Sequence, residues 1–452
     1  MILAAAVLVS SCCCKDNDGP IKTKVPQRPA GQENVIGLTA APMDTVRIGV
    51  VGLGMRGSFA VERLCYVPGA KIVAVCDIEQ DRVDRSLAVL KKMGRDGAVG
   101  YGGQADSWKG LCEQENVDLV YICTDWLNHT PIALYALEHG KHTAIEVPAA
   151  LDMDEIWALI DAAERTRLHC MMLENCVYDF FEMKTLAMAQ AGLFGEIIHA
   201  QGAYCHNLDP FWDEYWHNWR LEYNRKVRGD VYPTHGIGPI CQALNIHRGD
   251  KMKNLVAVDT KSFNGVRIME NHTGEPCSDF ANGDQTCTLI TTENGKTMLI
   301  EHDVMTPRPY DRLYQLVGVD GYAAKYPIPL YCLREELKGG VDAKQISDEK
   351  VYAYAELEAL QAKYNNPIVT PELEKLAKEV GGHGGMDYIM DYRLVYCLRN
   401  GLPLDMDVYD LAEWCCLAPL SKLSIENENR SVEVPDFTRG AWNTVKGYKY
   451  AL

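Results

Sequence analysis

The chain has 452 residues, 47% of them hydrophobic, with 62 acidic against 45 basic side chains and a formal net charge of −17. That length predicts two domains with full cores. An acid excess with no Lys/Arg-rich block argues against nucleic acid or an anionic membrane as partner, because a phosphate surface needs a basic patch. The 17 cysteines include no pair at zinc-finger spacing, so no metal site is expected. Several sit in apolar runs as small buried hydrophobes, and the chain's length disfavours a disulfide framework.

Residues 1–11 form an apolar run too short for a permanent membrane helix, and they read as a signal peptide. The run closes on Val9-Ser10-Ser11-Cys12, similar to the lipobox of bacterial lipoproteins. The expectation is an exported protein, periplasmic or on the cell surface, meeting the membrane only through a lipid on Cys12. Residues 12–43 have the composition of a tether.

Arg47 to Val51 is a strand, followed by Gly52-Leu53-Gly54-Met55-Arg56-Gly57 and an amphipathic run from Ser58 to Val67. Strand, G-x-G-x-x-G turn and helix start make a pyrophosphate cradle. Gly52 makes the turn, Gly54 admits the phosphate and Gly57 lets helix and strand touch. A second strand, Lys71 to Asp77, ends in a carboxylate twenty residues past Gly57, placed for ribose hydroxyls and favouring NAD over NADP.

Helical patterns follow at Gln80–Met93, Ser107–Gln114 and Pro131–His139, and strands at Val117–Cys123 and Lys141–Glu146. The alternation predicts a parallel sheet with crossover helices, with ligands bound at the carboxyl ends of its strands. Two loops lie there: Trp126-Leu127-Asn128-His129 is expected along the dinucleotide, and Glu146 at the nicotinamide ribose. His129 reads equally well as a helix cap.

Beyond a helix at Leu151–Thr166, a buried strand at Cys170–Leu173 delivers Glu174-Asn175, and Tyr178 to Ala191 form the next helix. Strands at Glu196–Cys205, Leu255–Phe263, Gln285–Thr292, Lys296–His302 and Leu313–Val319 are linked by short turns, so the second sheet should be open and largely antiparallel. It leaves room for homo-oligomerisation across its open face. The loop from Asn207 to Arg220 holds three of the eight tryptophans among acids, Asn and Arg, a composition suited to a sugar pocket. Tyr232 and His235 lie three apart at the start of a helix running to Ile246, able to point together into the cleft as acid-base groups. Gly381-Gly382-His383-Gly384-Gly385 is read as a turn before the helix Tyr388–Asn400, and Met406–Ser421 as a packing helix.

Gly52-x-Gly54-x-x-Gly57, Asp77, Asn128-His129-Thr130-Pro131 and Glu146-Val147-Pro148 resemble the glucose-fructose oxidoreductase and inositol dehydrogenase superfamily. Members join a Rossmann domain, here 44–148, to an α+β substrate domain with an open sheet, here 149–452. The superfamily's dehydrogenases usually carry Glu-Lys-Pro; Val147 replaces the lysine and cannot exchange a proton. Asp230-Val231-Tyr232-Pro233-Thr234-His235-Gly236-Ile237-Gly238-Pro239, preceded by Trp219-Arg220, resembles the NAD-dependent α-N-acetylgalactosaminidases of glycoside hydrolase family 109. The resemblance implies NAD contacts from Met55, Arg56, Asp77, Trp126 to His129, Glu146, Val147 and Asn175. It implies sugar contacts from Tyr204, Arg220, Tyr232, Pro233, Thr234, His235 and Tyr310, and catalysis by His235 and Tyr232, with Tyr178 a further candidate. The implied activity is cleavage of terminal α-N-acetylgalactosamine from a glycan by transient oxidation at C3, elimination and water addition, without net consumption of NAD, with another N-acetylhexosaminide specificity as an alternative. Two other activities fit the same residues: a sugar oxidoreductase that releases NADH, and a non-enzymatic sugar-binding lipoprotein.

Overall fold

The computed structural model describes residues 19–334, 354–364 and 368–448, so the signal-peptide run and Cys12 lie outside the described residues. β1 (Val46–Val51), β2 (Ala70–Asp77), β3 (Val99–Gly102), β4 (Leu119–Ile122), β5 (His142–Ile145) and β6 (Cys170–Met172) form a parallel sheet in the order β3-β2-β1-β4-β5-β6. Both faces of the central strands are covered, which is why β4 and β5 are buried at every residue. The strand order reverses between β1 and β4, and the carboxyl ends of these two strands open onto the glycine turn.

Two boundaries differ from the sequence reading. The parallel sheet takes its sixth strand, β6, from beyond residue 148, with Ala144 paired to Met171. The first layer therefore reaches to about Glu174. Residues 19–43 are not a free tether either. Ile21 bridges to Val432, Val35 is buried, and Arg28 pairs with the buried Glu164 at 2.9 Å.

The second sheet has eight strands in the order β13-β12-β11-β7-β10-β9-β8-β14. They are β7 (Ile197–Cys205), β8 (Met252–Asp259), β9 (Thr286–Thr292), β10 (Thr297–Asp303), β11 (Gln315–Gly318), β12 (Gly321–Ala324), β13 (Leu330–Leu333) and β14 (Val432–Glu433). All pairs are antiparallel except β7 with β10.

One face of this sheet seats the helix Thr234–Ala243 directly on β7. Two glycines make that contact: a Cβ on Gly202 would lie 2.1 Å from the Gly236 carbonyl oxygen, and one on Gly236 would lie 2.5 Å from the Ala203 nitrogen. Backbone rests on backbone here, so the first turn of the helix, with His235, is locked against the strand that carries Tyr204. The described cysteines are all free thiols, and no described helix is long and apolar enough to cross a membrane.

Candidate active site

The dinucleotide end is built by the glycine turn. Gly52 has φ of +87°, and a Cβ there would meet the Cys123 carbonyl at 2.6 Å. A Cβ on Gly57 would overlap the Gly52 carbonyl oxygen at 1.7 Å. A Cβ on Gly54 meets only the Arg82 guanidinium at 3.7 Å, so the open side of the turn is at Gly54, where a diphosphate would approach. The helix starts at Met55, three residues before the expected Ser58. Asp77 ends β2 and accepts from the backbone of Leu53 at 2.6 Å and of Glu79 at 2.9 Å, with Arg82 at 3.6 Å.

A cavity of about 260 Å³ spans Gly52, Gly54, Asp77 and Asn128 on one side and Tyr215, Trp216 and Trp219 on the other. These residues fit a dinucleotide. Part of the aromatic loop read as a sugar pocket thus faces the nucleotide instead. It folds as two short 3-10 turns and a helix, Trp219–Lys226.

After β4 the chain enters a helix at Trp126, earlier than the expected Pro131, because the Asp125 side chain caps it by accepting from Leu127 N. His129 therefore lies inside the first turn and does not cap. It is buried, with one ring nitrogen 2.8 Å from the Pro148 carbonyl oxygen and the other 3.0 Å from that of Thr124. Asn128 lines the dinucleotide cavity and Leu127 points to solvent. Trp126 is buried where the two domains meet, stacked on Tyr232 at 5.6 Å and edge-on to Trp219 at 5.1 Å.

At the other end of the cleft lies the group Tyr204, Arg220, Tyr232 and His235. The His235 Nδ1–H donates to Glu174 Oε1 at 2.6 Å, and its Nε2 faces the Tyr232 hydroxyl at 3.3 Å. Glu174 is fully buried. Burial works against its carboxylate, but His235 beside it holds its pKa below the ordinary carboxylate value. Burial pushes the Tyr232 phenol well above its usual range and that of Tyr204 up to about 12, with the Arg220 charge pulling both the other way.

Arg220 is buried with its guanidinium 4.5 Å from the ring centre of Tyr232 and 5.1 Å from that of Trp126. It donates to the Tyr215 hydroxyl at 2.6 Å, while its Nε has no hydrogen-bond partner. A buried donor without a partner is a place for a ligand oxygen. Tyr310 flanks Tyr204 and His206, half exposed at the mouth. Thr234 is fully buried behind His235, and Pro233 precedes the helix as its cap residue.

Tyr178 is not part of this group. Its ring is buried and its hydroxyl donates to Asp405, which also pairs with Arg393, so the packing of the 3-10 turn Asn175–Tyr178 turns it into the core. Two residues the sequence reading left out do belong. Glu174 is the carboxylate behind His235. His383, read as a chain turn, lies with its Nδ1 2.9 Å from Asp387 and 3.3 Å from Arg56. Arg56 in turn pairs with Glu146 at 2.9 Å, and Asn175 donates to Asp387 at 2.5 Å. Val147 is buried beside Glu146. The signal for Glu174 was its place at the carboxyl end of a strand; nothing local in the sequence pairs it with a histidine 61 residues away.

Comparison with known proteins matches this architecture in both halves. Residues 46–174 match the family described as "Oxidoreductase family, NAD-binding Rossmann fold", and residues 178–444 match "Glycosyl hydrolase 109, C-terminal domain". The chain is 60% identical over 439 residues to glycosyl hydrolase family 109 protein 1 of Bacteroides thetaiotaomicron, covering 96% of this chain and 93% of that protein. It is 58% identical over 458 residues to the glycosyl hydrolase family 109 protein of Porphyromonas gingivalis, covering 100% and 97%. Among solved structures, levoglucosan dehydrogenase in complex with NADH is similar at a TM-score of 0.63 and 16% identity, over 87% of this chain and all of that one. Apo scyllo-inositol dehydrogenase from Lactobacillus casei is similar at 0.61 and 14%, over 87% and 99%. At such identities these two share the fold alone.

Proposed function

The chain belongs to glycosyl hydrolase family 109 and uses NAD as its cofactor, and on that premise we propose that it removes terminal α-linked N-acetylgalactosamine from glycans. The observation that carries this reading is the relay Tyr232–His235–Glu174 opening onto a buried arginine, an acid-base group unlike the carboxylate pair that brackets a glycosidic bond in ordinary glycosidases. Held at the glycine turn and Asp77, NAD would supply reversible hydride chemistry at C3 of the sugar, the oxidation level at which the C2 proton becomes acidic and the C1 substituent can leave.

The chain's own residues supply the rest. Glu174 fixes the ring of His235 through Nδ1–H and leaves Nε2 facing the Tyr232 hydroxyl, so a proton can pass between them. His235 and Tyr232 share the acid-base steps. The Arg220 guanidinium, packed on aromatic faces and carrying an unpartnered Nε–H, offers a donor to a sugar oxygen as negative charge develops there. Val147, buried beside Glu146, brings no ammonium group that would compete in these proton transfers. The arrangement supports a cofactor that stays bound through the cycle, covered by Tyr215, Trp216 and Trp219.

The proposal includes export, with a lipid on Cys12, and pairing of copies through the open face of the second sheet. The test is to incubate purified protein with aryl α- and β-N-acetylhexosaminides and to assay NAD released on denaturation. The α-N-acetylgalactosaminide should be cleaved by protein that already holds NAD; no aglycone from any of them would refute the reading.

A further inference from the structure

A groove leads away from the cleft on the nucleotide side. Its walls are the helix Met55–Leu64, which follows the glycine turn, and the helix Pro371–Val380. Between them lies a cavity of about 630 Å³, within the range of small-molecule sites. Met55 and Arg56 line both this groove and the dinucleotide cavity, so the two spaces meet at the start of the first helix. His383 lines the groove as well, with its Nδ1 3.4 Å from the Asn175 side chain. Asn175 opens the 3-10 turn that Glu174 caps, so the inner end of the groove lies beside the turn that carries the relay carboxylate.

The first helix already buries Gly57, Ala60, Val61 and Leu64 against its own domain. It carries a second stripe, Met55, Phe59, Glu62 and Tyr66, at spacings of four, three and four, and this one faces the groove. Packing does not account for it: Phe59 is 64% exposed, Tyr66 49%, and Leu376 on the facing helix 36%. A lone exposed apolar side chain is ordinary, but several gathered on one concavity mark a binding surface. The cations of the groove are spoken for, since Arg56 pairs with Glu146 and Arg63 with Asp391. What it offers a ligand is ring faces, apolar edges and the exposed carboxylates of Glu62 and Glu379. That set fits a neutral sugar, whose apolar face covers a ring while its hydroxyls donate to carboxylates. The same two acids repel a phosphate, a sulfate or a sialic acid.

We propose that this groove binds the neutral sugars to which the terminal residue is attached, with Phe59 and Tyr66 as their stacking platforms. This rests on the glycosidase reading above. A terminal sugar held at Tyr204, Arg220 and His235 must pass the rest of its glycan out of the cleft, and the groove adjoins the cleft at Met55, Arg56 and His383. Contacts there touch no reacting atom. They hold ground state and transition state alike, so they act on KM and leave kcat in place.

The experiment compares the wild type with Phe59→Ala and Tyr66→Ala on two substrates of the same terminal residue. One is a neutral trisaccharide; the other is methyl α-N-acetylgalactosaminide, whose aglycone is too small to reach the groove. Bound NAD and oligomeric state are measured for each protein. The expected result is a KM for the trisaccharide raised about tenfold in each variant, the scale of one aromatic stacking contact, with kcat kept. Turnover of the methyl glycoside, NAD content and oligomeric state should match the wild type. An unchanged trisaccharide KM, or an equal loss on both substrates, would overturn the proposal while leaving the glycosidase reading in place. A changed oligomeric state without the KM effect would also overturn it, making the groove a contact between copies. Cleavage of neither substrate by the wild type would refute the glycosidase reading itself, and the proposal with it.

Discussion

Glu174 Oε1 lies 2.6 Å from His235 Nδ1, and Glu174 has no exposed surface. The carboxylate comes from the end of a Rossmann strand and the imidazole from a helix of the other domain, so this hydrogen bond helps tie the two halves at the reacting centre. Glu174→Gln keeps the shape and removes the charge. It should lower kcat on order of 100-fold with little change in KM, because the bond orients the base and does not touch the sugar.

The same carboxylate also gives a pH dependence of stability. Its pKa in the folded protein is below the ordinary value, so it contributes stability above the unfolded carboxylate pKa of about 4.3, and that contribution is lost as pH falls through the folded pKa. Thermal melts of wild type and Glu174→Gln should therefore differ most near neutrality and converge in acid.

Asp230 has the opposite sign. It is fully buried, and burial raises its pKa to about 7. The unfolded chain releases this proton near pH 4, so folding is increasingly penalised from there up to about pH 7. Asp230→Asn should leave the melting temperature unchanged near pH 4 and raise it by a few degrees near pH 8. An unchanged difference across this range would contradict the neutral carboxyl.

The glycine turn separates fold from cofactor. Gly57→Ala puts a methyl 1.7 Å from the Gly52 carbonyl oxygen, a backbone atom, with the Cys123 Cβ at 3.3 Å, and should lower the melting temperature strongly. Gly54→Ala meets nothing nearer than 3.7 Å and should fold as the wild type does while losing NAD on gel filtration. Melting curves and the absorbance of the released nucleotide check the two together.

Arg220→Met keeps much of the apolar stem packed on Trp126 and Tyr232 but removes the donor. The expected loss in kcat/KM toward an N-acetylgalactosaminide is on the order of 100-fold, as for removal of one buried donor from a developing oxyanion.

The parallel sheet was legible because its signals are local: β1, the glycines and Asp77 lie within thirty-two residues, and burial on both faces writes continuous apolar runs. β3, Val-Gly-Tyr-Gly, was not legible, since an edge strand half open to solvent carries no such pattern. β12 and β13 were missed because, at four residues each, they are too short to write a clear alternation. The helix Met406–Ser421 proved to be two, Val408–Cys415 and Leu417–Glu426. Its continuous apolar composition hides the break at Cys416. In the site, Tyr232 and His235 were legible from their spacing. The relay was not, because Glu174 meets His235 across 61 residues, and Asp387 meets Asn175 and Arg56 across more than 200, through packing that no window of sequence contains.

The central claim is that bond cleavage proceeds through loss and return of the C2 proton. The direct measurement is turnover of an aryl α-N-acetylgalactosaminide in D₂O, with mass and proton NMR analysis of the released sugar. Deuterium at C2 of the product is the expected result. A product with hydrogen retained at C2 would contradict the account.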